Sequence, residues 1–282
     1  MLKNKLKRKL IEVQNGKETI NVEPQKQVLA TSPLFPTPLW QQFFEIEAEL
    51  NEQLLPFNSI PTITHIYNPL EYAANIHCAY LNKYLTKPKR LVFVGMNPGA
   101  NGMGQTGVPF GNIKTVRNVM HLSGEVKQPP NVHPKRLVTG MSCTTEEPSG
   151  VRIWGLFQKI AHGSLDVFSE LCFMHNFCPL MFFDRNGKNI TPSELKGDAK
   201  LEIRRICLNA FDKEMELLKP EIIVAVGEYV HTSLKNSKHF ATTKILKLAH
   251  PSPRSLNNQN WPEKAEKWLI ENDLIKYLRN EL

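Results

Sequence analysis

Four short apolar runs place the strongest constraint on how this 282-residue chain can fold. They are RLVFVG (90–95), LCFMHN (171–176), EIIVAVG (221–227) and KILKLAH (244–250). Their apolar character is nearly continuous rather than alternating, which suits strands buried on both faces. Helical patterns lie between them. IWGLFQKIAHG is one, with Gly163 as its stop, and ELKGDAKLEIRRICLNAFDKEMELLKP contains another, ended by Pro220. Such strands separated by helices predict an α/β fold, a parallel sheet covered by helices. An earlier helix is expected from Thr37 as N-cap and Pro38 at its first position. Leu39, Phe43, Ile46, Leu50 and Leu54 follow at core spacing.

In open sheets of this kind ligands bind at the carboxyl ends of the strands. Three of the four runs end there in polar, turn-forming signatures: MNPG, HNFCPL and HPSPR. Asn97, Asn176 and His250 could therefore converge although they are distant in sequence.

The hydrophobic fraction of 41% supports one sizeable core, and residues 38–282 read as a single domain. Residues 1–37 read as a basic, disordered tail. The first ten residues carry Lys3, Lys5, Lys7, Arg8 and Lys9 without an acid, so the net charge of +8 falls to +3 once these five are set aside. Such a tail suits a nuclear-import signal, a polyanion-binding arm or a merely solvated terminus. No apolar run is long enough to span a membrane, and no secretory signal is read, so no membrane partner is expected. Five scattered cysteines without a C-x-x-C suggest a reduced compartment and no metal cluster. No heptad pattern argues for an oligomer, and a monomer is expected.

The first run leads into GMNPGANGMGQTGVPFG (95–111), with six glycines and two prolines. Gly102, Gly104 and Gly107 formally match a dinucleotide fingerprint. That fingerprint needs its first glycine at the strand end and a helix directly after it. Here Gly102 follows Gly95 by seven residues and VPFGN is no helix start, so the context is wrong. The loop instead offers backbone that can approach a flat ligand, stiffened by Pro98 and Pro109. Asn97 brings a donor and an acceptor. Phe110 brings either a stacking face, worth roughly 1–3 kcal/mol per base, or an ordinary core aromatic.

GMNPGANGMGQTGVPFGN, HNFCPL and HPSPR, in that order, resemble the single-strand-selective monofunctional uracil-DNA glycosylases. IYNPLEYA (66–73), HPKR (133–136) and SGVRIWGLF (149–157) match as well, so the resemblance covers roughly Ile66 to Trp261. It implies the uracil-glycosylase fold, three α/β/α layers around a four-stranded parallel sheet. It also implies base-excision repair, with uracil, 5-hydroxymethyluracil and related C5-oxidised uracils removed from single- or double-stranded DNA. An abasic site is left, and neither metal nor other cofactor is used. Nuclear residence follows from the DNA substrate and the basic tail.

Carried over residue by residue, the resemblance gives His250 the charge developing on uracil O2. It gives Asn97 the attacking water and Asn176 the reading of the uracil edge. Phe110 would stack on the base, while Gly99 and Met103 would line its C5 side. Ser252, Pro253, Arg254 and Ser255 belong to the segment that enters the duplex, with Arg254 filling the gap and Ser252 or Ser255 on phosphate. Lys135, Arg136 and Arg152 are further candidates for the DNA-facing surface. His175 should point away from the site, because neighbouring strand residues alternate faces. One departure stands out: vertebrate members commonly carry Pro-Phe where this chain has Ala100-Asn101.

Three rivals remain. A mismatch-specific uracil/thymine glycosylase shares the G-x-NPG loop but has an Asn-initiated motif in place of HPSPR. A catalytically silent reader of damaged DNA would not need the Asn97–His250 pair. A nucleotide-binding metabolic enzyme would be stabilised by a dinucleotide.

Overall fold

The computed structural model describes residues 36–57, 60–254 and 258–282. The basic tail expected over residues 1–37 lies almost wholly outside them, as does Ser255. Helix α1 (Leu39–Leu54) buries Phe43, Glu47, Leu50 and Leu54 on one face, and Pro38 serves as its cap rather than its first residue. Strand β1 (His65–Tyr67) follows, then α2 (Pro69–Tyr72), capped by the Asn68 side chain, and α3 (Ala74–Tyr84). Strand β2 (Leu91–Gly95) is the first of the expected strands and is buried throughout. The glycine loop after it contains the single-turn helix α4 (Met103–Thr106) and closes on Gly107 at φ 73°, left-handed backbone that favours glycine.

Two long helical segments flank β3 (Cys172–Asn176): α5 (Pro148–Ile160) with α6 (Leu165–Leu171) before it, and α7 (Gly197–Leu218) after it. Between β3 and α7 lie the short strands β4 (Met181–Phe183) and β5 (Asn189–Ile190). The chain ends with β6 (Ile222–Val226), α8 (Glu228–Leu234), β7 (Lys244–Leu248), α9 (Trp261–Glu271) and α10 (Ile275–Leu278).

The main sheet has the order β3-β2-β6-β7 and is parallel throughout. Register separates its two faces. Phe93 is level with Met174, and its ring packs 4.6 Å from Phe157 of α5 and 6.1 Å from Phe168 of α6. Residues one step along the strand turn to the other face. There Phe173 and His175 meet Phe43 of α1 at 5.6 and 5.2 Å. The result is three layers, as expected. At the edge, β7 differs from the reading of uniformly buried strands. Lys244 and Lys247 are exposed and only Leu248 is buried, because an edge strand has one neighbour and less helix cover.

A second, antiparallel sheet, β1-β4-β5, has no counterpart in the sequence reading. Its strands of two or three residues are too short to give a period. It buries its own cluster of Tyr67, Tyr72, Ala73, Val138, Met181 and Phe183. No helix among the described residues is long and apolar enough to cross a membrane.

Candidate active site

The glycine loop is fastened by side chains from several elements, each taking one of its carbonyls. Tyr72 Oη donates to Gly104 O at 2.7 Å, and His77 Nδ1 donates to Gly107 O at 2.8 Å. Trp154 Nε1 donates to Pro109 O at 3.0 Å, and Thr106 Oγ1 donates to Gly111 O at 3.0 Å. Gln105 is buried. Its Nε2 bonds Ala100 O and Leu137 O, while its Oε1 accepts from the N–H groups of Thr139 and Gly140. A loop this polar stays folded without a sheet ladder because its groups are paired by side chains.

Two of the expected residues, Asn176 and Phe110, meet at Gly95. A methyl group added there would lie 2.2 Å from Asn176 Oδ1 and 2.5 Å from Phe110 Cε2. Only glycine lets those two side chains approach the backbone so closely. Phe110 stands at φ 55°, unusual for a residue with a side chain, and its carbonyl lies in the place a Cβ of Gly150 would need. The first turns of α5 thus set the Phe110 ring, whose centroid is 5.9 Å from that of His250.

Asn176 is buried. Its Nδ2 faces Met103 Sδ at 3.1 Å, and its Oδ1 has no partner among the described residues. An unpaired buried acceptor costs roughly 1–3 kcal/mol, so this oxygen is left with an unmet demand for a donor. Two bonds beyond the strands, Phe177 N to Gly95 O and Cys178 N to Met96 O, hold HNFCPL against MNPG. Leu180 O then accepts from Asn97 Nδ2 at 3.0 Å. That bond commits the Asn97 amide nitrogen and leaves its Oδ1 as the acceptor. The part played by Leu180 is invisible in the sequence, because only a backbone atom is used.

His250 is partly buried after β7 and packs beside Gly227. Burial lowers its pKa to about 4, so the ring is neutral near pH 7. Ser252 N–H donates to its Nδ1 at 3.1 Å, which assigns the ring proton to Nε2. A neutral imidazole with a fixed Nε2–H is a directed donor. Asn258 Nδ2 braces this segment through His250 O and Ser252 O, and Trp261 Nε1 bonds Ala249 O. Pro253 and Arg254 are exposed, and Ser252 Oγ accepts from Arg254 N.

The further basic candidates divide. Arg152 directs its guanidinium to the carbonyls of Pro251, Asn258 and Gln259, so it supports the His250 segment. Arg136 bonds Gly187 O and lies over the Phe183 ring, while Lys135 is exposed. Gly99 packs on the Glu147 carboxylate, where an added Cβ would lie 2.6 Å from Oε2. Burial raises the Glu147 pKa against the opposing pull of the Asn101 and Ser149 N–H groups and the charge of Arg254. Sequence reasoning missed Glu147, which ties the start of α5 to the glycine loop.

Behind the site, His175 faces away from Asn176. Its Nε2 lies 3.1 Å from Glu214 and its Nδ1 3.9 Å from Glu47. Burial opposes its positive charge, but the Glu214 and then the Glu47 carboxylates outweigh that and raise its pKa. Glu47 also bonds His77 Nε2 at 2.7 Å. In the sequence Glu47 is one more helix position, and only its burial marks it out.

Residues 82–275 match the family model described as the uracil DNA glycosylase superfamily. The single-strand selective monofunctional uracil DNA glycosylase of Bos taurus is 37% identical over 246 residues, 86% of this chain and 90% of that protein. Its Mus musculus counterpart is 38% identical over the same share of this chain and 88% of its own length. Among solved structures, wild-type Pedobacter heparinus SMUG2 superposes with a TM-score of 0.59 at 21% identity, covering 82% of this chain and 98% of that one. That likeness supports the fold. With the family model over most of the domain and relatives of this identity along nearly the whole chain, this protein belongs to the uracil DNA glycosylase superfamily, in its single-strand selective monofunctional family.

Proposed function

We propose that this enzyme flips uracil out of single- or double-stranded DNA and hydrolyses its N-glycosidic bond, leaving an abasic site for base-excision repair. The observation that carries the reading is the unpartnered Oδ1 of Asn176 beside its own Nδ2. Uracil presents a donor at N3 and an acceptor at O4, and the amide matches both. Cytosine presents the reverse and would leave buried polar atoms unpaired, at roughly 1–3 kcal/mol each.

The base enters between Phe110 and Asn176. Asn97 Oδ1, oriented through Leu180 O, accepts a hydrogen bond from the attacking water. An amide cannot take a proton, so it positions the water rather than acting as a base. As the C1′–N1 bond breaks, its electron pair leaves on uracil and charge gathers at O2, where His250 Nε2–H receives it. The water oxygen bonds C1′ and its released proton ends on the uracil anion. A fixed donor of this type is worth about 2.7–4 kcal/mol of transition-state stabilisation.

Acceptance of 5-hydroxymethyluracil is part of the reading. By the resemblance Gly99 and Met103 line the C5 side, where a hydroxymethyl group would replace the hydrogen bonds of a water and a methyl group would not. Arg254, exposed at the tip of HPSPR, enters the duplex in place of the flipped base. The protein acts as a monomer and resides in the nucleus, the latter resting on its DNA substrate and the basic tail. A fusion of residues 1–36 to a fluorescent reporter checks that location, and a diffuse signal counts against it.

The test is release of labelled uracil from a single strand and its duplex, with Asn97→Ala and His250→Ala beside the wild type. Release by the wild type with losses of about 10²–10³ in kcat for each variant is the expected result. Tight binding without release would instead favour a silent reader of damaged DNA.

A further inference from the structure

His250 and Met96 also form part of the wall of a groove of about 530 Å³ along the carboxyl end of β6. Gly227, Tyr229, Ser193, Lys200 and Arg204 line it as well. Lys200 and Arg204 stand four residues apart on α7, hence on one face of the helix. Their charges are unlike the other cations of α7. Arg205 is paired with Glu202 and Lys213 with Glu49. Arg204 has no ion pair among the described residues, and Lys200 bonds only the carbonyl of Ser193, at 2.5 Å. Glu228 is the acid in the groove wall. Its carboxylate is bonded to Lys247 at 2.6 Å and to Thr232 at 3.0 Å, so it does not cancel them.

We propose that this groove carries the single DNA strand flanking the flipped nucleotide, with a phosphate held by Lys200 and Arg204. The proposal rests on the function proposed above and extends it to the path of the strand. Its occupant is argued from continuity, since His250 belongs to both the groove and the base pocket. It is argued also from charge, since two uncompensated cations beside hydroxyl and aromatic groups suit a sugar-phosphate chain. None of the basic positions picked from sequence lies here. Lys135 and Arg136 border Asn101, on the glycine-loop side of the site.

The experiment compares the wild type with Lys200→Gln/Arg204→Gln, which keeps much of the side-chain length, and with Lys213→Gln as a charge control. Binding is read by fluorescence anisotropy on single strands carrying a tetrahydrofuran abasic analogue. These are a trinucleotide and versions extended on the 5′ side, the 3′ side or both. Uracil release is measured on matching uracil oligonucleotides. Extension on one side should tighten wild-type binding, and the double variant should lose about tenfold of that gain. Its log–log salt slope should fall by about 0.7 for each phosphate that is no longer neutralised. Its kcat on the uracil trinucleotide should equal that of the wild type, as should its Tm and the behaviour of Lys213→Gln. A double variant that keeps the full gain and the wild-type salt slope overturns the proposal, as does a wild type indifferent to extension. If the wild type releases no uracil, the enzymatic reading fails, while the binding series still decides the groove.

Discussion

Two loops build the site from the carboxyl ends of an inner strand, β2, and an edge strand, β7, and they are held in different ways. The loop after β2 has its carbonyls taken by Tyr72, His77, Gln105, Thr106 and Trp154, all buried or nearly so. The segment after β7 is held near its ends, by Asn258, Arg152 and Trp261, while Pro253 and Arg254 stand exposed between. On the proposed function, the first wall would present a fixed outline to a flat base, where small displacements are costly. The second would fix one donor, His250, yet leave its tip open to DNA. On that reading rigidity is concentrated where the base would be read, and exposure where the duplex would be met.

Damage to the first loop should give the largest effect. Gly95→Ala places a methyl group on Asn176 Oδ1 and the Phe110 ring. Steady-state kinetics should show kcat/KM down by at least about 10², with a lower Tm as well, because Asn176 and the Phe110 ring must shift to admit the methyl group. A variant with near-normal kinetics would break the assignment of this pocket. Gln105→Leu comes next. It strips partners from two N–H groups and two carbonyls, and thermal unfolding should show a loss of about 3 kcal/mol, roughly 6–12 °C in Tm.

The second loop should respond in activity more than in stability. Arg152→Ala frees the carbonyls of Pro251, Asn258 and Gln259. A fall of about tenfold in kcat is expected, with KM for a single strand little changed, since the donor is misplaced rather than removed. Arg254→Ala should matter less, raising KM a few-fold on duplex and less on single strands. An equal effect on both substrates would take the wedge role from Arg254.

The smallest expected effect sharpens the contrast through pH. The pKa of His250 is lowered from 6.5 to about 4 in the fold, so the folded state binds its proton less readily than the unfolded chain. Its contribution to stability is therefore complete above pH 6.5 and is lost as pH falls toward 4. Between pH 8 and 5 kcat should show no inflection from this ring, and the NMR titration of its Cε1–H should have a midpoint near 4. A midpoint near 6.5 would mean that the ring is not held in the buried position that lowers its pKa.

Much of the architecture is legible because the β strands of a buried parallel sheet read as apolar runs. β2, β3 and β6 stand within a residue or two of the marked stretches. The edge strand β7 also lies where its run places it, but its exposure is not legible, since burial depends on neighbours that a run of residues does not name. The antiparallel sheet escapes for a related reason: two or three residues carry no period. Within the site, Asn97, Asn176 and His250 could be marked because each sits at a strand end beside a turn signal. Leu180 and Glu147 carry no such mark. One acts through its main-chain oxygen and the other through its place against Gly99 and the Asn101 amide.

By itself, then, the sequence determined the strands of the parallel sheet, the glycine loop and the polar residues at the strand ends. These are local properties of spacing and composition. The tertiary structure alone decided the tautomer of His250, the unpaired oxygen of Asn176, the reassignment of Arg152 from surface cation to brace, and the two uncompensated charges on α7. Each of these depends on which groups are left with or without a partner after packing, and partners come from parts of the chain that no local pattern connects.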